Sequence, residues 1–362
     1  MLPQPRPGIL DIAPYIGGEA RVSGIERPIR LASNENPDGP SPAAVAAYHA
    51  ASAELHRYPD GSAAALRQAI AAAHGLELEH IVCGAGSDEL LTLLVRGYAG
   101  PGDEVLVSRH GFLVYPIAAK SAGATPVEAP ERGLKVDIDA LLDSVSERTR
   151  LLLIANPSNP TGSYLTPHEV VRLHAGIPQH VLLVIDAAYA EYVAEPDYDP
   201  GTELARRHGN VVMTRTFSKA YGLASLRLGW AYAPPAVADV LNRLRGPFNV
   251  PGPTQAAGIA ALSDAAFLET CRRETARRRG WLAGAVREIG LVPHPSVCNF
   301  LLVEFPQQPG RDAAAALGHL KSRGILVRGM GAYKLPHCLR ITIGTEAETR
   351  AAADALADFM KR

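Results

Sequence analysis

Three apolar runs constrain this chain more than any other feature: Leu151-Leu152-Leu153-Ile154-Ala155, Val181-Leu182-Leu183-Val184-Ile185 and Val211-Val212-Met213-Thr214. A strand with one wet face alternates apolar and polar residues, whereas a continuous apolar run reads as a strand covered on both faces. Helical segments alternate with such strands to about residue 230, the pattern of a mainly parallel sheet flanked by helices. Ligands of open α/β sheets bind beyond the carboxyl ends of the strands. The first run feeds Asn156-Pro157-Ser158-Asn159-Pro160-Thr161-Gly162, the second ends on Asp186 with Tyr189 three residues on, and the third leads through Thr216 and Ser218 to Lys219. Singly, each ending has an ordinary reading: Asn-Pro is a common turn, an acid after a strand often caps a helix, and a lysine beside a serine is usually solvated. A bare ammonium is costly to bury, so a lysine in that position calls for a partner.

Earlier in the chain, Ser41 and Pro42 open an alanine-rich helix to about Leu55, and Ser62 is expected to cap a second that stops near Gly75. The short strand Ile81-Val82-Cys83 feeds Gly84-Ala85-Gly86-Ser87, and Asp88-Glu89 begin a helix. A glycine turn opening a helix presents unpaired backbone N–H groups and the positive end of the helix dipole, a site suited to phosphate. A purely structural turn is the competing reading, and the third glycine of a dinucleotide fingerprint is absent. After Pro251-Gly252-Pro253 the texture changes to α+β: a long arginine-rich helix from Phe267 to about Ile289, then strands around Asn299–Glu304, Ile325–Arg328 and Leu339–Thr342. The arginines at 272, 273, 277, 278 and 279 read as a solvated helix face, because Glu269 and Glu274 are interleaved with them.

With 362 residues and a net charge of −1, the chain exceeds one ordinary core, and nothing in its bulk charge selects a nucleic acid or an acidic membrane. No apolar stretch approaches a membrane span, and the proline-rich N-terminus lacks the apolar core of a secretory signal, so the cytoplasm is the expected compartment. Cys83, Cys271, Cys298 and Cys338 are scattered and read as small buried hydrophobes, and no metal site is expected. The expected organisation is an N-terminal arm (1–30), a large domain (31–262) and a small C-terminal domain (263–362).

At Asn34-Glu35-Asn36-Pro37, Arg57-Tyr58-Pro59-Asp60, the Gly84 to Glu89 turn, the Asn156 to Gly162 turn, Asp186-Ala187-Ala188-Tyr189, Ser218-Lys219 through Gly229, and Leu339 to Gly344, the chain resembles the fold-type I pyridoxal-phosphate (PLP) aminotransferases, more closely the histidinol-phosphate aminotransferase family. The resemblance covers nearly the whole chain. It implies the PLP-dependent transferase fold type I: a mainly parallel mixed sheet flanked by helices, with a smaller α+β domain.

It also implies roles. Lys219 would form the Schiff base with PLP and shuttle a proton, Asp186 would pair with the pyridinium nitrogen, and Asn159 and Tyr189 would hydrogen-bond the phenolic oxygen. Phe112 would stack on the ring. Gly86, Ser87, Thr216, Ser218 and Arg227 would hold the phosphate, joined by Tyr58 from a neighbouring subunit of a homodimer, and Asp88 would be among the cofactor-binding residues. Arg340, with Arg328 as a second arm, Tyr15 and Asn159 would meet the substrate, a small amino donor or a 2-oxo acid. The implied reaction passes an amino group between L-histidinol phosphate and 2-oxoglutarate. Related enzymes that act on aromatic amino acids share most of these motifs, and the segment Tyr333-Lys334-Leu335-Pro336 is expected to shape the choice. A phospho-amino-acid decarboxylase keeps the same fold and cofactor. A non-catalytic regulator would carry a DNA-binding module ahead of it, for which the short arm leaves no room.

Overall fold

The computed structural model describes residues 3–361. Its strands are β1 (Ile29–Leu31), β2 (Ile81–Gly84), β3 (Glu104–Ser108), β4 (Thr125–Ala129), β5 (Glu131–Arg132), β6 (Lys135–Val136), β7 (Thr149–Ala155), β8 (Leu182–Asp186), β9 (Val211–Thr216), β10 (Gly229–Tyr232), β11 (Val292–Pro293), β12 (Phe300–Glu304), β13 (Ile325–Gly329) and β14 (Cys338–Thr342). A seven-stranded sheet has the order β2-β10-β9-β8-β7-β3-β4, a five-stranded sheet the order β1-β13-β14-β12-β11, and β5 and β6 form a hairpin. In the larger sheet only β10 runs antiparallel to its neighbours β2 and β9.

The apolar runs are β7, β8 and β9, the interior of that sheet. Successive side chains of a strand point to opposite faces. Leu152, Ile154, Leu183, Ile185, Val211 and Met213 enter one core, and Leu151, Leu153, Leu182, Val184 and Val212 enter the other. Both faces are covered by helices, so neither needs polar alternation, and burying each such side chain stabilises the fold by about 2 kcal/mol. Register then sets the site: Ala155 lies opposite Asp186, and Asp186 opposite Thr214, so three strand ends finish level with one another.

The second sheet has its own core, to which Leu301, Val303, Leu339 and Ile341 contribute. The intervening residues of these strands, Phe300, Leu302, Arg340 and Thr342, occupy the opposite face, and register pairs Phe300 with Thr342 and Leu302 with Arg340. Residues Ile29–Leu31, at the expected boundary between arm and large domain, form the edge strand of this second sheet and pair in parallel with β13.

Several local expectations need correcting. The second helix, Ala64–His74, is not capped by Ser62: Asp60 accepts from Ala64 N at 2.7 Å and from Ser62 N at 2.8 Å, so the carboxylate two residues earlier does the capping. On the long helix Ala265–Glu288, Arg272, Arg273 and Arg277 lie at the surface, but Arg278 and Arg279 do not belong to a solvated face. Arg278 is largely covered and pairs with Asp38 at 3.1 Å, while Arg279 donates to the Cys298 carbonyl at 2.6 Å. These two arginines tie the helix to the residues that lead out of β1 and into β12. The four cysteines are buried. No helix among the described residues is long and apolar enough to cross a membrane.

Candidate active site

Where the level strand ends of the large sheet face the second sheet, a cleft of about 290 Å³ opens. Its lining includes Tyr15, Ser87, Asp88, Phe112, Asn159, Asp186, Tyr189, Thr216, Ser218, Lys219, Arg227, Arg328 and Arg340, so most of the residues singled out in the sequence meet in one place. Gly86 stands at its edge as the residue before the helix Ser87–Tyr98.

Asp186, at the end of β8, is 5% exposed. Burial pushes its carboxyl up to about 6, although Tyr115 Oη donates to it at 2.9 Å and Thr214 Oγ1 at 3.3 Å. No cation among the described residues bonds to it, so an isolated acid stands at the floor of a cleft, a costly arrangement unless a positive group enters. Lys219 Nζ donates to the Ser33 carbonyl at 3.2 Å and lies 5.8 Å from the centroid of the Tyr189 ring. Burial, then the positive charges of Arg340 and Arg227, lower its ammonium to about 8. At neutrality about a tenth of this amine is therefore unprotonated and nucleophilic, far more than for an ordinary lysine.

The glycine turn supplies an anion cradle. Gly86 has φ of 90°, and a Cβ there would lie 2.3 Å from Arg227 Nη2. The β10 register places Gly229 against both Gly84 and Thr216, which brings the turn beside the chain that leads to Lys219. The first N–H groups of the helix Ser87–Tyr98 lack intrahelical partners. Arg227 donates to Ser218 Oγ at 3.1 Å and to Asp88 Oδ1 at 2.6 Å. The Asp88 carboxylate thus steadies the arginine beside the helix start.

Arg340, on β14, is 5% exposed. It donates to Asn159 Oδ1 and, at 2.9 Å, to the Ala32 carbonyl, while its Nε is buried without a partner. Arg328, opposite Arg340 in register, donates to the Ile16 carbonyl at 2.6 Å and so holds the N-terminal arm against the cleft. Tyr15 meets Phe112 edge to face at 6.4 Å.

Two further sets of residues lie outside this lining. Tyr58 does not line the cleft of its own chain; it is 84% exposed and stacks on Phe248 at 4.7 Å. Of the segment Tyr333-Lys334-Leu335-Pro336, Tyr333 and Leu335 are buried with Leu302, Met330 and Cys338, and the Tyr333 side chain interacts with Arg340, Tyr15 and Arg328 at the anion end of the cleft, while Lys334 and Pro336 are exposed. Sequence reasoning gave no role to Tyr115, Thr214 or the segment Ala32–Asn34. Thr214 could have been found from its register with Asp186 and Tyr115 from its place one helical turn after Phe112. Ala32 and Ser33 act through backbone carbonyls, which leave no mark in side-chain chemistry.

The strand-end lysine, the buried acid and the glycine anion cradle, set at the meeting of two sheets, define an aminotransferase site. A model of the aminotransferase class I and II family matches residues 26–356, and the chain belongs to that family. It is 61% identical over 359 residues to the histidinol-phosphate aminotransferase of Rhodospirillum centenum, and 56% identical over 358 residues to that of Paramagnetospirillum magneticum, each comparison covering 99% of both chains. Its fold superimposes on the crystal structure of histidinol-phosphate aminotransferase from Sinorhizobium meliloti in complex with pyridoxal-5'-phosphate with a TM-score of 0.92, at 31% identity, covering 100% of this chain and 98% of that one.

Proposed function

We infer that the protein is a PLP-dependent transaminase that moves an amino group between L-histidinol phosphate and 2-oxoglutarate, giving imidazole acetol phosphate and L-glutamate in L-histidine biosynthesis. The observation that carries this reading is the pairing, within one cleft, of the Lys219 amine lowered to about 8 with an Arg340 whose buried Nε has no partner. The isolated Asp186 carboxylate, the Gly86 cradle and the Arg227 fork fit PLP. When bound, PLP supplies an electron sink for the carbon that carries the migrating nitrogen.

The protein's part is to hold, orient and move one proton. Asp186 would keep a ring nitrogen protonated, which relieves its own uncompensated charge. Backbone N–H groups of Gly86, Ser87 and Asp88, the hydroxyls of Thr216 and Ser218, and Arg227 would bind the phosphate. Asn159 and Tyr189 would donate to the phenolic oxygen, and Phe112 would cover one ring face. Lys219 Nζ, released by the incoming amine, would take the proton from the substrate carbon bearing nitrogen, a task that needs its neutral form. Arg340 would grip the carboxylate of 2-oxoglutarate and glutamate in a bidentate fit and, with Arg328 and Tyr15, receive the phosphate ester of histidinol phosphate. We place the protein in the cytoplasm as a homodimer whose Tyr58 completes the neighbour's phosphate site.

The test is to mix the PLP-loaded protein with 2-oxoglutarate and one donor at a time, following glutamate. Histidinol phosphate should give glutamate at a rate well above phenylalanine or tyrosine. Glutamate from the aromatic amino acids alone would overturn the substrate, and carbon dioxide in place of glutamate would overturn the reaction.

A further inference from the structure

Asn34 opens the Asn34-Glu35-Asn36-Pro37 motif, and nothing so far gives it a task. It is 1% exposed and has φ of 55°, a left-handed conformation that asparagine tolerates better than most side chains. It lies between the two sheets. Its backbone N–H donates to Thr342 Oγ1 at 2.9 Å, the Thr342 hydroxyl donates to Asn34 Oδ1 at 3.1 Å, and Asn34 Nδ2 donates to Tyr189 Oη at 2.8 Å. Asn299 Nδ2 donates to the Asn34 carbonyl at 3.0 Å and fixes the backbone from the β12 side. The two residues before it accept from Lys219 and Arg340.

This chain of bonds has one direction. A hydroxyl carries a single hydrogen. The Thr342 hydroxyl accepts from the Asn34 backbone N–H, and among the described residues its one acceptor is the Asn34 amide oxygen, which turns the amide nitrogen toward Tyr189. An amide nitrogen only donates. Tyr189 Oη is therefore an acceptor on the Asn34 side, and its one hydrogen is left for the cleft, where Lys219 and Asn159 also point. A hydroxyl that accepts one hydrogen bond donates the next more strongly.

We propose that Asn34 is a positioning residue for transamination: its amide, oriented by Thr342, fixes the Tyr189 hydroxyl as a hydrogen-bond donor toward the phenolic oxygen of PLP. The proposal rests on PLP being the cofactor. Its consequence is electronic. A donor at the phenolic oxygen favours the form in which that oxygen is negative, so losing the donor raises the pH at which the bound cofactor changes its near-visible absorbance.

The experiment is a pH titration of that absorbance in PLP-loaded wild type, Asn34→Gly, Tyr189→Phe and the double variant. Glycine accepts φ of 55° without strain, so Asn34→Gly removes the amide and little else. The expected result is an upward midpoint shift of about half to one pH unit, what one net hydrogen bond is able to produce, and no further shift when Asn34→Gly is added to Tyr189→Phe. Asn34→Asp, whose carboxylate would take the Tyr189 hydrogen for itself, should shift the midpoint at least as far. A midpoint unmoved in Asn34→Gly, or moved equally with and without the Tyr189 hydroxyl, overturns the proposal, because a merely structural residue would behave in one of those ways. Should Asn34→Gly fail to fold, Thr342→Val tests the same chain from its other end and should give a smaller shift of the same sign; no shift there also overturns it. A wild-type protein that develops no absorbance band with PLP overturns the cofactor reading itself, a result distinct from a band whose midpoint ignores Asn34.

Discussion

At the scale of single residues, the site works by making ordinary groups uncomfortable. Asp186 is an acid placed where water does not reach, and the hydroxyls of Tyr115 and Thr214 only partly offset that cost. A carboxyl raised from 3.8 to about 6 binds its proton more tightly in the folded chain than in the unfolded one. Its contribution to stability is therefore fully present below about pH 4 and is lost as pH rises through about 6. The PLP-free Asp186→Asn variant, which never ionises, should unfold with a free energy on the order of 2 kcal/mol above wild type at pH 8. The difference should vanish near pH 4, as read from denaturant titrations of both proteins. The same variant should lose transamination, because an amide cannot balance a protonated ring nitrogen. Equal stability of the two proteins at pH 8 would mean that Asp186 is already compensated in the PLP-free state.

At the scale of elements, strand register and close backbone contact do the assembling. A Cβ on Gly229 would lie 2.3 Å from Ser87 N and 2.6 Å from Gly86 C, so β10 touches the start of the phosphate-turn helix with no space for a side chain. Gly229→Ala should push that helix start outward and weaken PLP binding by about tenfold or more, equivalent to 1.4 kcal/mol. Circular dichroism should stay close to wild type, and unchanged PLP affinity would show that the turn does not grip the phosphate. This is also where the sequence was most and least legible. Continuous apolar runs revealed β7, β8 and β9, and the residues after them, because burial on both faces leaves a one-dimensional signature. Contacts that depend on three dimensions left none: the Arg278 and Arg279 tethers looked like surface charge, and Asp60 took the cap expected of Ser62.

At the scale of the whole molecule, two sheets with separate cores meet at the cleft, and each supplies what the other lacks. The larger brings Lys219, Asp186 and the anion cradle; the smaller brings Arg340 and Arg328. The segment Ala32–Asn34 joins them, accepting from Arg340 and Lys219 and donating to Tyr189. Tyr58 was legible only as part of a motif, since its own chain leaves it exposed beside Phe248. If a second subunit completes the site, Tyr58→Phe should weaken PLP binding by roughly ten- to a hundredfold, the loss of a hydrogen bond to a charged group, even though residue 58 lies outside its own cleft. Wild-type affinity in that variant would refute the shared site. Every role in the cleft is set by Lys219 being the point of attachment. Treating the PLP-loaded protein with borohydride, digesting it and weighing the peptides tests this most directly: the mass of the reduced pyridoxyl phosphate should appear on the peptide that contains Lys219. Its appearance on Lys120, Lys135, Lys321 or Lys334 instead, with Lys219 unmodified, would contradict the account.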